Sequence, residues 1–164
     1  KNINKSEIKK ELMNQILIFK NKFGNYPRFI DGHHHIHQLP VISEILISIL
    51  KDLNIKNIIV RNTYVGFSDA IKIRKNLYKT FILSFFGFLF KKKLKKNKIQ
   101  TNDYFLGIYD FKDIKDFKKN LEIFNEKKQF YILMCHPGFN DEILERIDSV
   151  TKQRELEYKV LLDN

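Results

Sequence analysis

Helical and strand-like segments alternate along this chain, and that alternation limits the possible folds more than any other feature of the sequence. Helical patterns with an apolar side cover five segments, at residues 6–23, 40–53, 69–90, 111–126 and 141–162. Ser6 is expected to cap the first helix, and the last is expected to break near Thr151. Short apolar runs predict four strands, at residues 28–31, 58–61, 104–108 and 130–134. Such βα alternation is typical of a mostly parallel sheet, so we predict an α/β fold.

The histidines lie at the ends of two of these predicted strands. Four of the five occur in the sequence Asp-Gly-His-His-His-Ile-His at positions 31–37, and the fifth is His136. Functional side chains gather at the carboxyl ends of parallel strands. If the chain stays extended past Asp31, the residues at positions 31, 33, 35 and 37 project to one face. A carboxylate and alternate imidazoles can then meet on one divalent ion such as Zn²⁺ or Mg²⁺.

A structural role for these histidines is the competing interpretation. A lone histidine on an apolar face is usually structural, but four within five positions at a strand end are hard to explain by packing. A functional role is also favoured for His136, because Pro137 and Gly138 set a sharp turn where the strand ends. Cys135 is expected to be a buried neighbour on the opposite side from His136.

The formal net charge of +11 comes from lysine, since arginine occurs at only five positions. Proteins that read nucleic acids favour arginine for its bidentate geometry. We therefore interpret the lysines as a solvated surface without a specific nucleic-acid partner. The single cysteine fits a reducing, cytoplasmic compartment. No apolar run is long enough to form a transmembrane segment.

The apolar run at residues 81–90 is followed by the lysine-rich residues 91–96. One interpretation is an interfacial helix that touches an anionic membrane. The other is a buried helix followed by a solvated loop, which we favour because a basic loop costs little in a lysine-rich sequence. Residues 69–100 are thus interpreted as a helical insertion with a basic loop, within a single domain that spans residues 1–164.

These motifs resemble those of the YdjC-like carbohydrate deacetylases. Residues 31–37 resemble the family's Asp-Ser-His-His-His-Val-His motif, and the substitution of Gly32 for serine is interpreted as minor. Residues 134–138 look like its Cys-His-Pro-Gly motif. The remaining similarities are the segments 25–30, 101–107 and 153–157, and Arg61 after the second strand. The resemblance covers nearly the whole chain.

The resemblance implies a (β/α) barrel, related to polysaccharide deacetylases, that removes acetyl groups from amino sugars. It also implies a divalent metal, Mg²⁺ or Zn²⁺, with His33 as one of its ligands. His136 would then be a catalytic or substrate-orienting histidine. Supporting or substrate-facing roles fall to Asp31, His35, His37 and Arg61.

The chain also departs from the family pattern. The family's amino-terminal Asn-Ala-Asp-Asp-Phe-Gly motif supplies a base and a metal-binding aspartate, and it has no counterpart here. The following strand, with its own metal-binding histidine, is missing as well. We therefore expect an incomplete barrel without the amino-terminal strands, which binds metal weakly and releases little acetate.

Two other functions are alternatives. A metal-dependent barrel hydrolase of the amidohydrolase type would need further histidines at later strand ends, where this chain has only His136. A non-catalytic protein could instead bind polyanions or membrane surfaces through residues 91–98. The sequence leaves open whether the chain is a monomer or a homodimer.

Overall fold

The structure is a computed structural model that describes residues 4–73, 77–148 and 150–163. The chain divides into two compact units. The first unit comprises Lys1–Tyr64 and Leu83–Asn102, and the second comprises Val65–Ile82 and Asp103–Asn164. In chain order, the elements are α1 (Lys5–Phe23), β1 (Phe29–Ile30), a 3-10 turn (His33–Gln38), α2 (Pro40–Asp52), β2 (Ile59–Val60), α3 (Phe67–Ile73), α4 (Leu77–Lys96), β3 (Tyr104–Leu106), α5 (Ile114–Asn125), β4 (Tyr131–Leu133), α6 (Glu142–Ile147) and α7 (Lys152–Leu162).

The predicted α/β alternation and parallel strand pairing are confirmed. β1 pairs with β2 in the first unit, and β3 pairs with β4 in the second, both in parallel. Each strand has only two or three residues, so helices dominate the fold. Within the described ranges the strands form two separate two-stranded sheets, so the predicted barrel is not confirmed.

α1 and α2 pack around the core of the first unit. The predicted first helix is confirmed, but its cap is Asn4 rather than Ser6: Asn4 Oδ1 accepts the backbone N–H groups of Ser6 and Glu7 at 3.1 and 3.3 Å. The helix ends at Gly24, which has a φ of 76°. The buried apolar residues of this core are Ile16, Ile45, Leu46, Ile47, Ile49, Leu50, Ile58, Val60, Phe90 and Leu94.

α4 differs from the prediction for this part of the chain. The helix predicted at 69–90 is divided between α3 and α4, and its residues 74–76 lie outside the described part of the chain. Residues 91–96, expected as a loop, continue α4. The reason is the spacing of Phe90 and Leu94: four residues apart on a helix, both reach the same core and are 2% and 0% exposed.

Asn62 and Asn102 join the end of β2 to the segment that follows α4. Asn102 Oδ1 accepts the Asn62 backbone N–H at 2.8 Å, and Asn102 Nδ2 donates to the Asn62 carbonyl oxygen at 3.0 Å. The Asn62 side chain donates to the Asn102 carbonyl oxygen at 2.6 Å. Both residues are fully buried, so this network replaces water around the backbone where the strand ladder stops.

Replacing Asn102 with leucine, which has a similar volume, is expected to lower the free energy of unfolding by about 2–4 kcal/mol, because the buried Asn62 backbone N–H loses its acceptor and the Asn62 carbonyl oxygen loses its donor. Urea denaturation followed by circular dichroism measures the loss. Asn14→Leu on the exposed side of α1 is the control and should change stability little. A loss of less than about 0.5 kcal/mol for Asn102→Leu would contradict the account of this network.

The second unit is held by an apolar cluster and a partly buried ion pair. Tyr109, Phe117, Leu121 and Val160 form the cluster between α5 and α7. Asp69 in α3 is 1% exposed and accepts from Lys127 Nζ at 2.6 Å and from the Tyr131 hydroxyl at 2.8 Å. These two bonds hold α3 against the start of β4. The predicted break of the last helix near Thr151 is confirmed, since α6 and α7 are separate.

Candidate active site

The first histidine segment curls instead of staying extended. The expectation that the chain continues straight past Asp31 is wrong, because His33–Gln38 forms a 3-10 turn. His34 and His35 have φ values of 50° and 62°, in the left-handed region. The His35 backbone N–H donates to the Gly32 carbonyl oxygen at 2.9 Å, which closes the turn. The histidines are therefore distributed around the turn rather than along one face.

The turn brings three of the predicted site residues, Asp31, His35 and His37, together around a fourth, Arg61. The Arg61 guanidinium donates from Nη2 to the Asp31 carboxylate and lies 2.9 Å from His35 Nδ1. His37 Nε2 lies 2.7 Å from the Arg61 backbone oxygen. Arg61 and His37 are buried, His35 is half-buried and Asp31 is exposed. This arrangement is an ion pair with two histidines attached to it.

His33, the predicted metal ligand, lies outside this group. Its side chain is exposed and packs edge-on against His34, with 4.1 Å between the ring centroids. Within the described residues, no group of three or more His, Cys, Asp or Glu side chains is placed to hold a metal ion. The expected convergence of Asp31 and alternate histidines on one ion is therefore not found. The side chains present do not fit a complete divalent metal site.

The hydrogen bonds fix the tautomers of His35 and His37. Because a guanidinium can only donate, His35 Nδ1 is the acceptor and its proton is on Nε2. Because a carbonyl oxygen can only accept, His37 Nε2 donates to Arg61. Burial lowers the pKa of His37, although the hydrogen bond to the Arg61 carbonyl opposes that effect. His37 is therefore neutral near pH 7 and acts as a structural support of the turn.

Gly32 lies directly against the His37 ring. A Cβ atom at Gly32 would come within 2.5 Å of His37 Nδ1 and 2.8 Å of His37 Cβ. The glycine is therefore not a minor substitution for the serine of the family motif, because a serine here would displace His37. In this chain, Gly32 and His37 are packed as a pair.

Replacing Gly32 with alanine is expected to displace the His37 ring and to lower the free energy of unfolding by about 1–3 kcal/mol through overpacking. Chemical denaturation measures the loss, and the His37 imidazole NMR signals report the displacement. Gly138→Ala is the matched control, since no atom lies within 4 Å of a Cβ built there. Unchanged His37 signals in Gly32→Ala would contradict the close packing.

The second histidine segment follows β4 in the other unit. The His136 backbone N–H donates to the Glu157 carboxylate, whose second oxygen accepts from the Tyr109 hydroxyl. Glu157 is 0% exposed and lies on α7. The His136 ring is half-buried and meets Phe111 edge-on, with 5.2 Å between centroids. Glu157 thus fixes the backbone from which the His136 imidazole projects.

The electrostatic surroundings of His136 favour its neutral form. Burial lowers the pKa of His136. The negative charge of Glu157 opposes this effect, whereas the positive charge of Arg154 lowers the pKa further. Nδ1 of His136 is buried and makes no hydrogen bond within the described part of the chain. Burial and Glu157 both raise the pKa of Tyr109, so its hydroxyl remains a donor to the carboxylate. A neutral imidazole on a fixed backbone can take up and deliver a proton.

Two residues near His136 differ from the sequence-based expectations. Cys135 is exposed, so its prediction as a buried neighbour is wrong. The strand ends at Leu133, and the alternation of sides on which that prediction depended does not extend to Cys135. Glu157 lies outside the motifs that predict the site, although the sequence contains a signal for it. Gln153, Glu157 and Val160 lie on the buried face of α7, and a carboxylate on a buried helix face requires a partner.

The two histidine segments thus occur in different units of an α/β protein, each after a strand of a parallel pair. The sequence model of the YdjC-like protein family matches residues 1–164. The chain therefore belongs to the YdjC-like family, which confirms the resemblance.

Several known proteins are similar to this chain. A carbohydrate deacetylase from Oceanobacillus iheyensis is 29% identical over 159 residues, which are 95% of this chain and 54% of that protein. A chitooligosaccharide deacetylase from Escherichia fergusonii is 28% identical over 141 residues, 85% of this chain and 47% of that protein. A crystal structure from Enterococcus faecalis, provisionally named a cellobiose-phosphate cleavage protein, superposes with a TM-score of 0.63 at 20% identity over 97% of this chain and 53% of that one. The chain spans about half the length of these relatives.

Proposed function

We propose that this chain forms part of a carbohydrate deacetylase that hydrolyses N-acetyl groups on amino sugars. Its membership of the YdjC-like family and the names of its relatives support this class of enzyme. The observation that carries the proposal is His136, a neutral, half-buried imidazole whose backbone is fixed at the end of a parallel strand by the buried Glu157. Deacetylation needs such a group, because an amine leaves readily only after it is protonated.

His136 is the proton donor in this proposal. Water adds to the acetyl carbonyl carbon, the bond between carbon and nitrogen breaks, and the products are acetate and a free amine. The attacking water supplies the proton that His136 passes to the departing nitrogen. Because the pKa of His136 is lowered, the ring is neutral before the reaction and returns to that state after it delivers the proton.

The first histidine segment has a binding role in this proposal. Arg61 holds Asp31 and His35, so we assign Asp31 and His35 to contacts with the substrate and the buried Arg61 to a supporting role. His37 supports them from the interior. His33 stays a predicted ligand for Mg²⁺ or Zn²⁺, but the described donors do not complete a site for either ion, so we assign no step to the metal.

The remaining parts of the proposal concern architecture and setting. We propose that the two parallel strand pairs belong to one partial (β/α) barrel domain over residues 1–164, in which residues 69–100 are an insertion. A cytoplasmic location, which the single cysteine favours, stays a prediction, and a homodimer stays a possibility that the sequence leaves open.

Calorimetric titration of the 164-residue protein with N-acetylated and free-amine glucosamine trimers tests the substrate class. We expect the acetylated trimer to bind at least about tenfold more tightly, since a site built to hold an acetamide leaves polar groups unpaired without it. Equal affinity for the two trimers, or no binding of either, would contradict the proposed substrate class.

Acetate release from the same trimer, with Mg²⁺ or Zn²⁺ added, tests turnover separately. We expect little or no release, because the described residues gather no three-donor metal site. Multiple turnovers that stop on chelation would show that the chain does complete a metal site, and would contradict this expectation.

A further inference from the structure

One face of α4 carries an apolar stripe that runs into a cluster of lysines. Phe85, Phe88 and Leu89 are 51%, 37% and 45% exposed. One turn further along the helix, Lys92, Lys95 and Lys96 are also exposed. Residues 85, 89, 92 and 96 are spaced by four, three and four positions, so they lie on one side of the helix. We call these six residues the α4 stripe.

The opposite side of α4 is anchored in the protein. Phe90 and Leu94 are buried in the core of the first unit. At Gly87 the helix lies so close to the backbone of Thr63 and Tyr64 that a Cβ atom would overlap both. Lys93, which is not part of the stripe, pairs through Nζ with Glu44 at 3.2 Å. The α4 stripe is thus presented by a fixed helix rather than by a mobile loop.

Charge and apolar surface are combined within the stripe. Lys92 Nζ lies over the Phe88 ring, 4.5 Å from its centre, so the charged group and the aromatic surface are in direct contact. No acidic residue interrupts the sequence from residue 85 to 98. This differs from the solvated basic loop expected from the sequence, in which the lysines are separate from the apolar residues.

The geometry points to the α4 stripe as a docking surface for a membrane with anionic lipid headgroups. Phe85, Phe88 and Leu89 would enter the boundary between headgroups and acyl chains, while the lysines reach the phosphates. The helix would lie in the plane of the interface. None of the helices within the described ranges has both the length and the apolar character required to cross a bilayer.

Two other occupants fit the stripe less well. A second copy of the chain would bring together two proteins that each carry a net charge of +11. A nucleic acid would meet neither arginine nor an amide side chain between residues 85 and 96 to read its bases. An anionic membrane satisfies both the apolar residues and the lysines.

Sedimentation of the full 164-residue protein with lipid vesicles tests this inference. We expect binding to phosphatidylcholine vesicles that contain roughly 30% phosphatidylserine, and much weaker binding to pure phosphatidylcholine. The variant Phe85→Ser with Leu89→Ser, and the variant with Lys92, Lys95 and Lys96 each changed to glutamine, should each weaken binding at least about tenfold. These side chains are exposed, so both variants are expected to fold.

Matched variants on α1 separate this surface from a general effect of charge or hydrophobicity. Ile18→Ser with Phe23→Ser changes two residues that are 65% and 61% exposed. Changing Lys5, Lys10 and Lys22 to glutamine removes the same charge as the lysine variant of the stripe. Both α1 variants should bind the phosphatidylserine-containing vesicles as tightly as the original protein.

Several outcomes would overturn the inference. The first is that the protein does not bind the vesicles. The second is that the α1 lysine variant loses as much vesicle binding as the lysine variant of the stripe. The third is that the Phe85 and Leu89 variant keeps its vesicle binding. Tighter binding to an RNA oligomer than to the vesicles would also overturn it. So would a dimer in sedimentation equilibrium that dissociates when Phe85 and Leu89 are changed. None of these outcomes bears on binding of the acetylated sugar, so the inference and the proposed function can fail separately.

Discussion

Replacing Glu157 with alanine is expected to lower the free energy of unfolding by about 3–5 kcal/mol. The Glu157 carboxylate is fully buried and accepts from both the Tyr109 hydroxyl and the His136 backbone N–H. The alanine variant leaves these two donors without an acceptor and opens a cavity between α7 and the end of β4. Guanidinium denaturation followed by circular dichroism measures the change.

Two further variants make the result specific to this network. Glu122→Ala removes an exposed carboxylate from α5 and should change stability by less than about 0.5 kcal/mol. Glu157→Gln keeps the shape but removes the charge that raises the pKa of His136, so the pKa of His136 should fall further below 6.5. A His136 pKa that stays constant or rises in Glu157→Gln would contradict the coupling.

Replacing Gly107 with alanine is expected to lower the free energy of unfolding by at least about 3 kcal/mol. Gly107 follows β3 with a φ of 97°, a conformation that strains any residue with a side chain. A Cβ atom there would overlap the Met134 carbonyl oxygen and approach the Met134 nitrogen to 2.9 Å. Because Met134 leads directly to His136, the substitution should also displace the His136 segment.

Unfolding measurements and His136 NMR signals test both parts of this prediction. Gly138→Ala is again the control, because its Cβ would lie in open space. If Gly107→Ala has the same free energy of unfolding as the original protein, the close approach of Gly107 to Met134 is wrong. If it is destabilised but the His136 signals do not move, Gly107 supports the fold without positioning the site.

The regular elements were predictable because they depend on periodic patterns. Apolar spacing located α1, α2 and α5, and the apolar runs located all four strands in their order. The same spacing, read from Phe90 to Leu94, would also have extended α4 through the lysines. That signal was hidden by the charges on the exposed side of the helix.

The curled histidine segment was not predictable from the sequence pattern. His34 and His35 adopt left-handed backbone angles, which histidine visits rarely. Tertiary contacts set that conformation: Arg61 binds His35, and Gly32 makes room for the His37 ring. All of these partners belong to the predicted site or to its motifs, but their contacts depend on how β1 and β2 pair.

The central claim is that His136 belongs to a site for N-acetylated sugars. The most direct measurement is the pH titration of the His136 imidazole by NMR, with and without an N-acetylglucosamine trimer. Since burial lowers the pKa of His136, the free protein should titrate below 6.5, and the folded state should lose stability as the pH falls through that value. The account predicts that the acetylated trimer shifts the His136 signals to saturation, whereas the free-amine trimer does not. His136 signals that respond to neither trimer, or to both equally, would contradict it.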